Sequence, residues 1–148
     1  ALSGPATDVS IPVPKFKQFL GNTVSSWLPR LTITNDIDPS VVCSDPNVVQ
    51  EYISDPYTHG KVTTRWFSEY MKTVARVKNE AKLLQTPLAI WHGEGDALVE
   101  PWVSEEFFER LTMPDCRRKL ISGALHEILL EPSWHETVED IKNWLEQF

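Results

Sequence analysis

The chain has 148 residues, 41% hydrophobic and 24% charged, the composition of one soluble globular domain with enough apolar residues for a core. A formal net charge of -7 argues against a nucleic-acid-binding module, which needs a basic face. No apolar run approaches the roughly 18 residues of a membrane span, and no basic segment followed by an apolar stretch marks a signal peptide.

The chain opens without Met on Ala1-Leu2-Ser3-Gly4-Pro5, which reads as the end of a buried strand, so a fragment is expected. From Thr7 to Thr63 proline and polar turn residues dominate. Within that segment Phe16, Phe19, Leu20, Val24, Trp27 and Leu28 form a short amphipathic helix, which on pattern alone suits a core helix better than a lid. Cys43 and Cys116 have no metal-like or redox-like spacing; two free thiols in a reducing compartment are the plain reading, with one disulfide as the alternative.

From Thr64 the texture becomes regular. Trp66, Phe67, Tyr70, Val74, Val77, Ala81 and Leu84 recur every three or four positions and predict a helix over Arg65–Leu84, stopped by Thr86-Pro87. Leu88–Trp91 is a short apolar run of the kind buried on both faces of a parallel sheet, and His92-Gly93-Glu94-Gly95-Asp96 is a glycine-rich loop. A proline-opened helix over Pro101–Leu111 and a strand over Arg118–Ser122 follow. Gly123-Ala124-Leu125-His126 is the next loop. A final helix spans Pro132–Phe148, with Trp134, Val138, Ile141, Trp144, Leu145 and Phe148 on one face. Strand, loop, helix, strand, loop, helix implies parallel neighbours joined by a right-handed crossover. Ligand chemistry in such sheets sits beyond the carboxyl ends of the strands, where both Asp96 and His126 fall.

A carboxylate that orients a histidine is an arrangement for nucleophilic catalysis, and an acid preceding the base in the chain is the α/β-hydrolase order. An Asp and a His thirty positions apart carry little weight alone; the stronger signal is that each follows a strand. A turn aspartate and a satisfied histidine remain the alternatives. His92 reads as structural, and His59 and His135 as surface residues. His92, Glu94, Asp96, His126 and Glu127 lack a metal-ligand spacing, so no metal or cofactor is expected. Neither cysteine lies where a nucleophile would.

The runs Thr86-Pro87-Leu88-Ala89-Ile90-Trp91-His92-Gly93-Glu94-Gly95-Asp96 and Leu120-Ile121-Ser122-Gly123-Ala124-Leu125-His126-Glu127-Ile128-Leu129-Leu130-Glu131 resemble the acid loop and histidine segment of monoacylglycerol lipase-like and lysophospholipase-like hydrolases, in the serine aminopeptidase S33 superfamily. The resemblance implies an α/β fold: the C-terminal part of an α/β-hydrolase, its last parallel strands and flanking helices under a mostly helical cap. Residues 1–6 would end a core strand, 7–63 form the cap, and 64–148 the C-terminal core. Asp96 would be the triad acid and His126 the base. Phe16, Phe19, Leu20, Val24 and Trp27 would line an acyl-chain site, which weighs the lid reading up to equal the core one. No Gly-x-Ser-x-Gly elbow occurs, and Ser3 and Ser122 lack the flanking glycines. The nucleophile is therefore expected upstream of Ala1, the missing N-terminal half is the expected partner, and the chain alone is expected to be inactive. The implied substrate is a lipid ester, with a cytoplasmic or peripheral-membrane location. Alternatives are a non-catalytic interaction or lipid-binding fragment, and another α/β-hydrolase such as a peptidase or an epoxide hydrolase.

Overall fold

In the computed structural model, residues 1–8, 24–35 and 37–148 are described. Three strands, β1 (Leu2–Ser3), β4 (Leu88–Gly93) and β5 (Cys116–Ile121), form a parallel sheet in the order β1-β4-β5. A separate two-stranded antiparallel ribbon pairs β2 (Thr32–Thr34) with β3 (Lys61–Thr63). The described helices are α1 (Pro46–Ser54), α2 (Thr64–Glu80), α3 (Pro101–Phe108) and α4 (Trp134–Leu145).

The sheet is organised around β4, which is flanked on both edges and buried on both faces. Ala89, Ile90 and Trp91 are fully inaccessible, and strand alternation divides them. Ala89 and Trp91 join Ala124, Ile128 and Trp144 on one face, while Ile90 meets Ala81 and Phe107 on the other. Trp91 also stacks edge-on with Trp144 of α4, and its indole Nε1–H donates to Asp140 at 2.6 Å. Arg117 and Lys119 of β5 bind the same carboxylate, so the final helix is held to the sheet by an aromatic contact and a shared charge.

Local signals set the helix starts. The Thr63 hydroxyl caps α2 by accepting from the Trp66 amide, and Asp45 caps α1 at Asn47. Proline opens α1 and α3. The long helix ends four residues before the predicted Leu84, because Ala81–Leu83 tightens into a 3-10 turn. The last helix is shorter than predicted, and its apolar stripe is only partly covered. Trp144 is buried and Ile141 packs on the core, whereas Trp134, Val138, Leu145 and Phe148 stay exposed.

The expected fold is corrected in its extent: parallel sheet, flanking helices and cap elements run from β1, which pairs in parallel with β4 (Leu2 opposite Ile90, Ser3 opposite Trp91), to α4. Among its described residues the cap carries α1 and 3-10 turns at Val24–Ser26 and Pro39–Val41, and beside them the β2–β3 ribbon, which the sequence reading did not include. Thr32 and Ile33, with Val62 and Thr63, are β-branched residues that favour the ribbon. Phe16, Phe19 and Leu20 lie outside the described residues.

Because Ile90 is fully buried between α2 and α3, Ile90→Ala should cost about 2–5 kcal/mol. Urea unfolding followed by tryptophan fluorescence checks this, with the transition midpoint falling and its slope unchanged.

Candidate active site

Beyond the carboxyl ends of β4 and β5 the two following loops are sewn together by backbone hydrogen bonds. The Glu94 amide donates to Ile121 O at 3.0 Å and the Gly95 amide to Ala124 O at 2.9 Å. This approach leaves no space for a side chain at Gly93, where a Cβ would lie 1.9 Å from Leu125 O. The strand β1 ends against the same place. Gly4 takes φ +44°, in the left-handed region, and a Cβ there would lie 3.4 Å from His126 Nδ1 and 3.5 Å from Asp96 Oδ2.

At the centre is the Asp96 carboxylate, only 2% exposed. Its Oδ1 accepts from the amides of Leu98 and Val99, both at 2.9 Å. Its Oδ2 contacts His126 Nδ1 at 2.8 Å and His92 Nε2 at 3.0 Å. Burial alone pushes the Asp96 carboxyl up, but hydrogen bonds from His126, His92 and the Val99 amide outweigh it and hold the group well below the usual carboxylate range. The Asp96 hydrogen bond raises the His126 imidazole above its ordinary value against the opposing effect of burial, and the charge of Glu127 adds to the rise. With Nδ1 facing the carboxylate, Nε2 of His126 is left to exchange a proton with a hydroxyl, the geometry that general-base catalysis needs.

A second buried carboxylate braces the histidine loop. Glu131 Oε1 accepts from the Leu125 amide at 2.7 Å and the Ser44 amide at 3.1 Å, and its Oε2 accepts from the Ser44 hydroxyl. The Glu127 amide donates to Val42 O at 2.8 Å and the Cys43 thiol to Leu130 O at 3.4 Å. Cap residues 42–44 are thus stapled to the loop that carries His126. Both cysteines are free thiols.

The structure brings Asp96 and His126 together as the sequence suggested, and puts His92, expected to be structural, on the same carboxylate. His59 and His135 are exposed. Val24 is half-buried at the edge of the cap, and Trp27 is 86% exposed. The sequence reading missed Glu131; a carboxylate inside an otherwise apolar stretch, five residues past the base, was the available signal. It also missed the approach of Gly4.

Residues 1–133 match the Hydrolase_4 family, described as serine aminopeptidase, S33. The chain belongs to this family. It is similar to a monoacylglycerol lipase of Paleococcus ferrophilus, whose crystal structure superposes with a TM-score of 0.90 at 28% identity over 97% of this chain and 56% of that one. It is 27% identical to the monoacylglycerol lipase of Mycolicibacterium smegmatis over 97% of this chain and 51% of that protein. An uncharacterized abhydrolase domain-containing protein of Dictyostelium discoideum is 28% identical over 99% of this chain and 16% of its own length. The chain therefore spans about half the length of the two lipases. Membership of the S33 family and these likenesses put it in the general hydrolase, esterase and lipase class.

The likeness runs through 97–99% of the chain, not through one part of it. The expectation of a nucleophile outside the chain is corrected in one respect: a serine hydroxyl stands on the base's own loop, where Ser122 donates to Glu94 at 2.7 Å beside the Asp96–His126 pair.

The ion pair gives stability a pH signature. The Asp96 contribution is present above the ordinary carboxyl value of 3.8 and is lost as pH falls through its depressed folded value. The His126 contribution is present below 6.5 and is lost as pH rises through its raised folded value. Denaturant unfolding should therefore show stability declining above pH 6.5, and His126→Gln should flatten that decline. An equal slope in the variant would place its origin elsewhere.

Proposed function

We propose that the chain performs carboxylic ester hydrolysis on a single-chain lipid ester, of the monoacylglycerol or lysophospholipid type, with Asp96 and His126 as its acid and base. The observation that carries this is the 2.8 Å contact of His126 Nδ1 with a buried Asp96, which leaves Nε2 for the nucleophile. Ser122 is the proposed nucleophile. Its Oγ is bonded to Glu94 and, among the described residues, not to His126, so it must exchange one acceptor for the other before attack. His126 then takes the hydroxyl proton as the serine oxygen adds to the ester carbonyl, and returns it to the departing alcohol. Water repeats the sequence on the acyl-enzyme, while Asp96 stabilises the imidazolium in both halves.

A cleft of about 410 Å³ between α1 and the histidine loop is lined by Val42, Val48, Tyr52, Leu130 and the carboxylates of Glu51, Asp55 and Glu127. Three acidic groups repel an anionic head group, so the reading favours a neutral glycerol over a phosphate-bearing one. The acyl-chain wall is assigned to Phe16, Phe19, Leu20, Val24 and Trp27. Among the described residues no helix is long and apolar enough to cross a membrane; the proposed location is cytoplasmic or peripheral to a membrane.

The test is turnover of a monoacylglycerol with fluorophosphonate labelling of the same chain. His126→Ala should lower kcat/KM by about 10³-fold or more at unchanged fold, and the adduct should map to Ser122 and vanish in Ser122→Ala. Unchanged turnover in His126→Ala would refute the acid–base assignment, and an adduct on any other residue would refute the nucleophile.

A further inference from the structure

His92 is wholly inaccessible, and its Nε2 lies between two acceptors, Val99 O at 2.7 Å and Asp96 Oδ2 at 3.0 Å. A carbonyl oxygen only accepts, so Nε2 must carry the proton. Among the described residues the other ring nitrogen, Nδ1, is buried without a partner. A bare lone pair there is less costly than a buried N–H with no acceptor, which supports the singly protonated Nε2–H ring. The same N–H closes a ring of hydrogen bonds, because the Val99 amide donates back to Asp96 Oδ1 at 2.9 Å.

A carboxylate offers four lone-pair sites, and at Asp96 all four are taken: two by amides on Oδ1 and two by imidazoles on Oδ2. His92 and His126 therefore draw on one oxygen. We propose that His92 is a positioning residue that fixes the Asp96 carboxylate for His126 and, by sharing Oδ2, weakens the hold of Asp96 on the His126 imidazolium, keeping His126 easier to deprotonate. The catalytic consequence rests on the ester-hydrolase reading above; the sharing itself does not. Among the described residues the groups facing His126 are Asp96 and Glu127, and the groups facing Asp96 are His92 and His126, with the uncharged Gly4 backbone closing the β1 side.

The donor can be removed or kept. His92→Phe deletes it at similar volume, whereas His92→Gln can present an amide N–H near the same point. Histidine side-chain NMR on the ¹⁵N-labelled chain gives the His126 titration midpoint without any turnover. The midpoint should rise by about 0.5–1 unit in His92→Phe and stay within about 0.2 unit of the parent in His92→Gln. A midpoint unmoved or lowered in His92→Phe, or raised equally in both variants, would overturn the proposal. Should His92→Phe fail to fold, the parent spectrum decides: an Nε2–H ring at His92 at pH 7 supports the proposal, and an Nδ1–H ring refutes it. An inactive chain that still shows the midpoint shift would remove the hydrolase reading and leave the coupling standing.

Discussion

A single negative charge, out of contact with water, constrains everything around it. Removing a carboxylate from water without partners is costly enough that the group would protonate instead. Asp96 stays ionised only because four donors converge on it, and they come from different places: His92 from the end of β4, two amides from the turn at Leu98 and Val99, and His126 from the loop after β5. The charge therefore demands that the two loops lie against each other. Gly93 makes that approach feasible, and the parallel pairing of β4 with β5 aligns the strand ends that launch them. Removing one partner from such a cluster typically costs about 3–5 kcal/mol, since the remaining charge is left uncompensated.

Much of this was legible in the sequence because it follows from short-range rules. Leu88-Ala89-Ile90-Trp91 announced a strand buried on both faces, proline and threonine marked helix starts, and a strand–loop–helix alternation placed Asp96 and His126 at the same sheet edge. What escaped depends on long-range pairing. That Leu2 and Ser3 pair along β4 is invisible to any local pattern, although the run itself read as the end of a strand. The β2–β3 ribbon joins strands with 26 residues between them, and its three-residue strands are too short for alternation to stand out. The stripe on the last helix overstated its burial because periodicity says which face is apolar, not how far a neighbour covers it. Glu131 was passed over since a glutamate is usually solvated, and only the fold shows three donors meeting it.

The two buried carboxylates act at opposite ends of one loop. Asp96 holds the ring of His126 by its Nδ1, and Glu131 holds the backbone at Leu125, the residue before it. Glu131 also ties that loop to Ser44, so a displacement of the cap at residues 42–44 is transmitted to the backbone beside the base. The imidazole is thus braced from the sheet by one charge and from the cap by the other. Among the described residues its one unbraced polar atom is Nε2, and partial burial of the ring leaves that edge reachable.

This asymmetry bears on why the sheet, not the cap, sets the chemistry. The hydrogen bonds that determine how His126 binds a proton all come from the core side: Asp96 directly, and His92 and the Val99 turn through Asp96. The cap side supplies backbone and hydroxyl bonds to Glu131 and the Glu127 amide, and a cleft wall beside the base. A change at the end of β4 therefore acts on how His126 holds its proton through Asp96, while a change at an uncharged cap residue such as Tyr52 acts on the shape of the cleft. The two influences meet in the loop from Ser122 to Glu131, which carries the base.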